Sequence, residues 1–126
     1  MEASEMLHRT ISTLRVSDAR ASEELFCGKL GFHKTWEYDP GDGYPVFIEV
    51  TRDSVSFHLS EHEGDGPMGI QVYVSVSDAL ALYDEFTAKG VVTISEPSEA
   101  AWGELIFELQ DLDGNTLRFG SLLAAA

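Results

Sequence analysis

Apolar and polar residues alternate along much of the chain, and the alternation predicts short strands with two unlike faces. Val55, Phe57 and Leu59 share one side of a strand, while Ser56, His58 and Ser60 share the other. Leu117 and Phe119 stand against Thr116, Arg118 and Gly120 in the same way. So do Val72, Val74 and Val76 against Gln71, Tyr73 and Ser75, and Leu14 and Val16 against Ile11, Thr13 and Arg15. The period changes over residues 19–29 and 79–89, which read as helices presenting Leu25, Phe26 and Leu30 or Leu82 and Phe86 to a core. Ser17-Asp18 and Ser77-Asp78 offer oxygens to cap them, and Gly31 and Gly90 can end them with a positive φ. The strands predicted around these helices are 9–17, 32–38, 45–51 and 54–60, then 70–77, 91–95, 104–110 and 115–120. Residues 39–43 and 111–115 carry turn chemistry.

The two sets of elements repeat. Shifted by 60 places, Val16-Ser17-Asp18-Ala19 returns as Val76-Ser77-Asp78-Ala79, and Ala21, Phe26, Lys29, Phe47 and Asp53 return as Ala81, Phe86, Lys89, Phe107 and Asp113. A unit of this length occurring twice is a duplicated half-domain rather than a solenoid. The sequence therefore predicts an α+β fold of two βαβββ modules, 8–61 and 70–121, in one domain spanning 1–126. An acidic, Gly- and Pro-containing stretch, 61–69, joins them.

The apolar strand faces must pack under the helices, which leaves mixed faces of Tyr, His, Gln, Arg and Ser. Such faces are too polar for a dry core and too aromatic for plain solvent exposure, so a ligand groove is expected. Eight Lys and Arg against 22 Asp and Glu give a net charge of −14. A surface so charged repels phosphate backbones and anionic lipid, excluding nucleic acid and acidic membranes as partners, and attracts cations. Cys27 is the single cysteine, so neither a disulfide framework nor a cysteine-built zinc site is expected, and a reducing cytoplasm fits. It reads as a packing residue of the first helix; His8 reads as a surface residue and His33 as structural. Residues 1–10 lack the basic-then-apolar pattern of a secretory leader, and no apolar run approaches the roughly 20 residues of a membrane span.

Four segments, in this order and spacing, carry a resemblance: Leu14-Arg15-Val16-Ser17-Asp18, Lys29-Leu30-Gly31-Phe32, Ala101-Trp102-Gly103 and Asp111-Leu112-Asp113-Gly114-Asn115. With the duplication, they resemble the vicinal-oxygen-chelate superfamily, also called the glyoxalase/bleomycin-resistance/dioxygenase group. Leu112 departs from the Pro usual there. The resemblance implies a curved mixed sheet around a cleft, usually in a homodimer. In the drug-binding branch a proline near the position of Ser12 accompanies exchange of the first strand between subunits; this sequence lacks that proline, so the resemblance implies a homodimer but not the exchange.

Metal-dependent members of that superfamily hold a divalent ion at four positions, which fall here at Ile11, His58, Gln71 and Arg118. Only His58 is an ordinary ligand; isoleucine donates nothing, and an arginine repels a cation. No metal and no cofactor are expected. What remains resembles the bleomycin-resistance branch, whose members bind the drug without changing it. That resemblance places Trp36, Tyr44, His58, Ser60, Tyr73 and Trp102 on the ligand side, with Trp102 stacking on a flat aromatic ligand. Glu37, Asp39, Asp42, Glu61, Glu63, Asp65, Glu96, Glu99 and Glu104 are expected near the cleft mouth, and Arg118 is expected to pair with Glu108. The expected function is non-catalytic sequestration of a planar cationic small molecule, bleomycin-like, by a homodimer. The alternatives are a lyase, transferase or dioxygenase of the superfamily with a non-standard site built on His58 with Glu49 or Glu108, and a module that takes another metabolite or peptide.

Overall fold

Duplication at the level of sequence becomes two four-stranded sheets, each backed by one helix. The computed structural model describes residues 5–123, so both ends of the expected 1–126 domain lie outside the described residues. The first module comprises β1 (Ser12–Arg15), α1 (Ala19–Gly28), β2 (His33–Tyr38), β3 (Phe47–Arg52) and β4 (Val55–Ser60). The second comprises β5 (Gln71–Ser75), α2 (Ala79–Ala88), β6 (Ser98–Glu99), β7 (Glu104–Gln110) and β8 (Thr116–Leu122). The sheets have orders β1-β4-β3-β2 and β5-β8-β7-β6, with β1 parallel to β4 and β5 parallel to β8. In the connector, Glu63–Asp65 forms one 3-10 turn.

The predicted caps form. The Asp18 carboxylate accepts the Arg20 and Ala21 backbone N–H groups at 3.1 and 3.2 Å, and Asp78 accepts that of Ala81 at 3.0 Å. Each helix lays one phenylalanine into rings from its own module. Phe26 meets Phe32 and Phe57, and Phe86 meets Phe107 and Phe119. These rings, with Leu14, Val16, Ile48, Val50, Leu59, Leu109 and Leu117, make one continuous core across both modules. Burying each such side chain contributes about 1.5–3 kcal/mol.

Polar ties join the modules. Asn115, fully buried, donates through Nδ2 to the Arg15 carbonyl at 3.0 Å and to Asp111 at 2.8 Å. Its Oδ1 accepts the Gly69 and Ile70 N–H groups at 3.0 and 3.1 Å. Arg52 grips Glu85 through both terminal nitrogens, at 2.8 and 2.9 Å, and donates to the Leu30 carbonyl.

Three expectations are corrected. Residues 91–95 form no strand, and Val92 is 87% exposed. One N–H, that of Ile94, reaches the Glu108 carbonyl, and pairing begins only at Ser98, after Pro97, which has no N–H to donate. The first strand opens at Ser12, so Ile11 lies outside the ladder. The offset of 60 is also not uniform. It holds for β1 with β4 and β5 with β8, where Thr13 opposes His58 and Tyr73 opposes Arg118. It fails for β3 and β7. Glu49 opposes His58 and Glu108 opposes Arg118, because the β7–β8 loop, counted from Gln110↔Thr116, is one residue longer than its counterpart, counted from Thr51↔Ser56. The structural counterpart of Phe47 is therefore Ile106 and not Phe107. A slip of one residue reverses faces: Phe107 is in the core and Phe47 lies on the open side.

Candidate functional site: an aromatic groove

The open face of the first sheet is crossed by one row of side chains, Thr13, His58, Glu49 and Trp36, from β1, β4, β3 and β2. Trp36 reaches this row through a bulge. Lys34 opposes Val50, yet Trp36 opposes Glu49, so Thr35 is the extra residue on the edge strand. Without it, Trp36 would oppose Ile48, a core residue, and its indole would point toward the helix side. The bulge thus turns Trp36 onto the groove, where it stacks on Phe47 with ring centroids 5.4 Å apart and planes at 19°. His58 closes the stack edge-on, 4.7 Å from Phe47 and 6.0 Å from Trp36. Beside this wall opens a cavity of about 840 Å³, lined by Trp36, Tyr38, Tyr44 and Phe47, with His62 and Asp65 entering from the connector. Its size and apolar lining suit a drug-sized ligand.

Beneath the stack, Glu49 is buried and doubly held. Thr35 donates its hydroxyl to one carboxylate oxygen at 2.7 Å, and His58 Nε2 lies 2.9 Å from the other. The Thr35 hydrogen bond, helped by His58 and opposed by burial, holds the Glu49 carboxyl below the usual carboxylate range.

The second sheet carries its own cluster. Tyr73 and Trp102 both donate to Glu104, the indole N–H at 2.5 Å and the phenol through the other carboxylate oxygen. That bond pushes the Tyr73 phenol up to about 12, because losing its proton would set two negative charges side by side. Gly120 makes the arrangement possible: a Cβ there would lie 2.9 Å from Tyr73 Cζ and 3.1 Å from Ile106 Cγ2. Arg118 donates through Nε to Glu108 at 2.7 Å, the pairing that alternation predicted.

Of the six residues placed on the ligand side by sequence, Trp36, Tyr44 and His58 gather on the first sheet and Tyr73 and Trp102 on the second. Among the described residues no hydrogen bond or ion pair joins the two clusters. Ser60 stands apart. It is fully buried, donating its hydroxyl to Asp65 at 2.6 Å and accepting the His62 N–H, because the 3-10 turn folds over the end of β4. It positions a groove residue instead of lining the groove.

The expected acidic mouth is also thinner than its sequence. Glu37 and Asp39 are held by Arg20 at 2.6 and 2.9 Å, and Glu61 accepts the Ala19 and Val46 N–H groups. Phe47 and Tyr38 were not legible as groove residues, since the repeat aligned Phe47 with a core position.

The superfamily's metal positions do not fit a divalent ion. Ile11 supplies no donor, Gln71 offers a weak neutral amide, and Arg118 is cationic and tied to Glu108, which leaves His58 as the single ordinary ligand of the four. Among the described residues, no three of His, Cys, Asp and Glu gather as a metal site. Burial, with Glu23 nearby, pushes the Cys27 thiol up, away from the reactive thiolate. No helix among the described residues is long and apolar enough to cross a membrane.

Comparison with known proteins agrees with this architecture. The family described as "Glyoxalase superfamily protein" matches residues 3–124. No curated protein matches the sequence. Among solved structures, a bleomycin-binding protein complexed with bleomycin is 20% identical, with a TM-score of 0.72 over 91% of this chain and 98% of that one. TnmS3, an antibiotic binding protein from Streptomyces sp. CB03234, is 20% identical with a TM-score of 0.73 over 93% and 97%. A glyoxalase/bleomycin resistance protein/dioxygenase superfamily member from Sphaerobacter thermophilus DSM 20745 is 20% identical with a TM-score of 0.75 over 92% and 98%. With two βαβββ modules and a family match along nearly its whole length, this chain belongs to the glyoxalase superfamily.

Proposed function

We propose that the protein binds a flat, positively charged small molecule of the bleomycin type and holds it unaltered, so that sequestration in the cytoplasm confers resistance. The observation that carries this reading is the Trp36–Phe47–His58 wall beside a cavity of about 840 Å³. Exposed stacked aromatics suit a planar guest, and a donor set unfit for a metal suits binding without chemistry. The likeness to a bleomycin-binding protein and to an antibiotic binding protein supports the same reading. Two unconnected clusters, one per sheet, support a homodimer in which each cleft takes one wall from each chain.

Titration with metal-free bleomycin tests this directly. Saturable quenching of tryptophan fluorescence at two sites per dimer is expected. Trp36→Ala and Trp102→Ala should each weaken binding about two- to tenfold, the equivalent of about 0.5–1.5 kcal/mol per aromatic pair. Unchanged fluorescence, with no protection of DNA from drug cleavage, would remove the proposal. One observation favours a second reading, an enzyme of the superfamily. His58 Nδ1 makes no hydrogen bond among the described residues while Nε2 is oriented by Glu49, an arrangement suited to moving a proton. Stoichiometric divalent metal on the purified protein, lost in His58→Ala, would favour it.

A further inference from the structure

We propose that Asp65, with Trp36, Tyr38, Tyr44 and Phe47, forms a cage for an alkylated ammonium group, and that Ser60 is the residue that positions its carboxylate. This rests on reading the groove as a ligand site, and it names both the anchor and the chemical class that the anchor selects.

The cage is open and aromatic. Trp36 is 46% exposed, Tyr38 62% and Tyr44 65%, so none of these rings is committed to the core. A wall of rings by itself would accept a neutral guest as readily as a charged one. The carboxylate decides between them. Asp65 Oδ2 accepts the hydroxyl of fully buried Ser60 at 2.6 Å, which fixes the group at the cavity wall.

Its charge is not neutralised locally. Arg15 packs against the same turn but donates to the Ser60 and Gly66 carbonyls, and among the described residues no Lys or Arg nitrogen comes within ion-pair distance of Asp65. His62 Nδ1 lies 3.8 Å from Asp65, yet that nitrogen accepts the Gly64 N–H, so it presents a lone pair and not a proton. The contact is therefore no salt bridge.

A single carboxylate among rings cannot hold a metal ion, which needs several oxygen or nitrogen ligands. A small, strongly hydrated ammonium keeps its water in a site this open and gains little from one exposed carboxylate. An alkylated ammonium is weakly hydrated, spreads its charge over methyl groups and is attracted to ring faces.

The test uses phenyltrimethylammonium and its uncharged isostere tert-butylbenzene, followed by calorimetry and tryptophan quenching. The wild-type protein should bind the cation at least tenfold more tightly than the isostere, with the difference shrinking as salt is added. Asp65→Asn preserves the Ser60 hydrogen bond and the shape of the turn. It should remove most of the preference while leaving the isostere unchanged. Ser60→Ala should cost the cation several-fold without weakening the isostere, as loss of positioning requires. Equal binding of the two probes to the wild-type protein, or a preference that survives Asp65→Asn in a variant whose melting matches wild type, would overturn the cage. Bleomycin binding by the wild-type protein without any preference for the cation over its isostere would sink the cage and spare the drug reading. Cation-selective binding without any bleomycin binding would do the reverse.

Discussion

Asn115→Ala separates architecture from recognition, because Asn115 closes the motif through which the chain most resembles its superfamily. A residue in such a motif invites a functional reading. The structure gives it a joint instead: four hydrogen bonds that link β1, the connector and the β7–β8 loop. Truncation to alanine leaves the Gly69 and Ile70 N–H groups, the Arg15 carbonyl and one Asp111 oxygen without that partner. Each ordinary hydrogen bond contributes about 1 kcal/mol, and an orphaned buried group costs about 1–3 kcal/mol. Water can reach the partly buried connector amides, so the expected loss is about 3–5 kcal/mol rather than the full sum. For a domain of this size that is a fall in Tm of about 10–20 °C. Urea melts at constant pH measure the loss, and calorimetric titration below the transition measures ligand affinity. Affinity in the folded fraction should match wild type, since Asn115 lies outside both aromatic clusters. A variant of unchanged Tm that has lost ligand binding would refute the reasoning and make Asn115 a recognition residue.

Two further predictions concern the hydrogen bonds of Tyr73 on the second sheet and Glu49 on the first. Gly120→Ala should drive the Tyr73 ring off Glu104, and the phenol should fall from about 12 toward its usual 10, read from phenolate absorbance relative to Tyr73→Phe. A raised folded-state value means stability fully present below the usual value and lost as pH rises through about 12, so this alkaline loss should vanish in Gly120→Ala. Glu49 has the opposite sign: its contribution is present above the ordinary carboxylate range and lost as pH falls through its lowered value. Thr35→Val removes the largest cause of that lowering, so its acid unfolding should begin at higher pH than in wild type, as followed by circular dichroism.

The sequence by itself determined what short-range chemistry controls. Asp18 and Asp78 mark helix starts because a carboxylate there satisfies otherwise unpaired N–H groups. The period of two in β4, β5 and β8 separates core from groove without any tertiary information. Even the Arg118–Glu108 pair follows from alternation on neighbouring strands. Tertiary structure decided the rest. Trp36 faces the groove only because Thr35 is an extra residue against β3, and Phe47, opposite Ser60, parts company with core Phe107 because the β7–β8 loop is one residue longer than the β3–β4 loop. Residues 91–95 have strand composition but find no continuous partner before Pro97. Ser60 is drawn inward by a turn that lays Asp65 over it. Each of these depends on which backbone groups meet across strands or along the connector. A local pattern carries its own period but not the registration of distant segments, and one residue of registration reverses the face that a side chain presents.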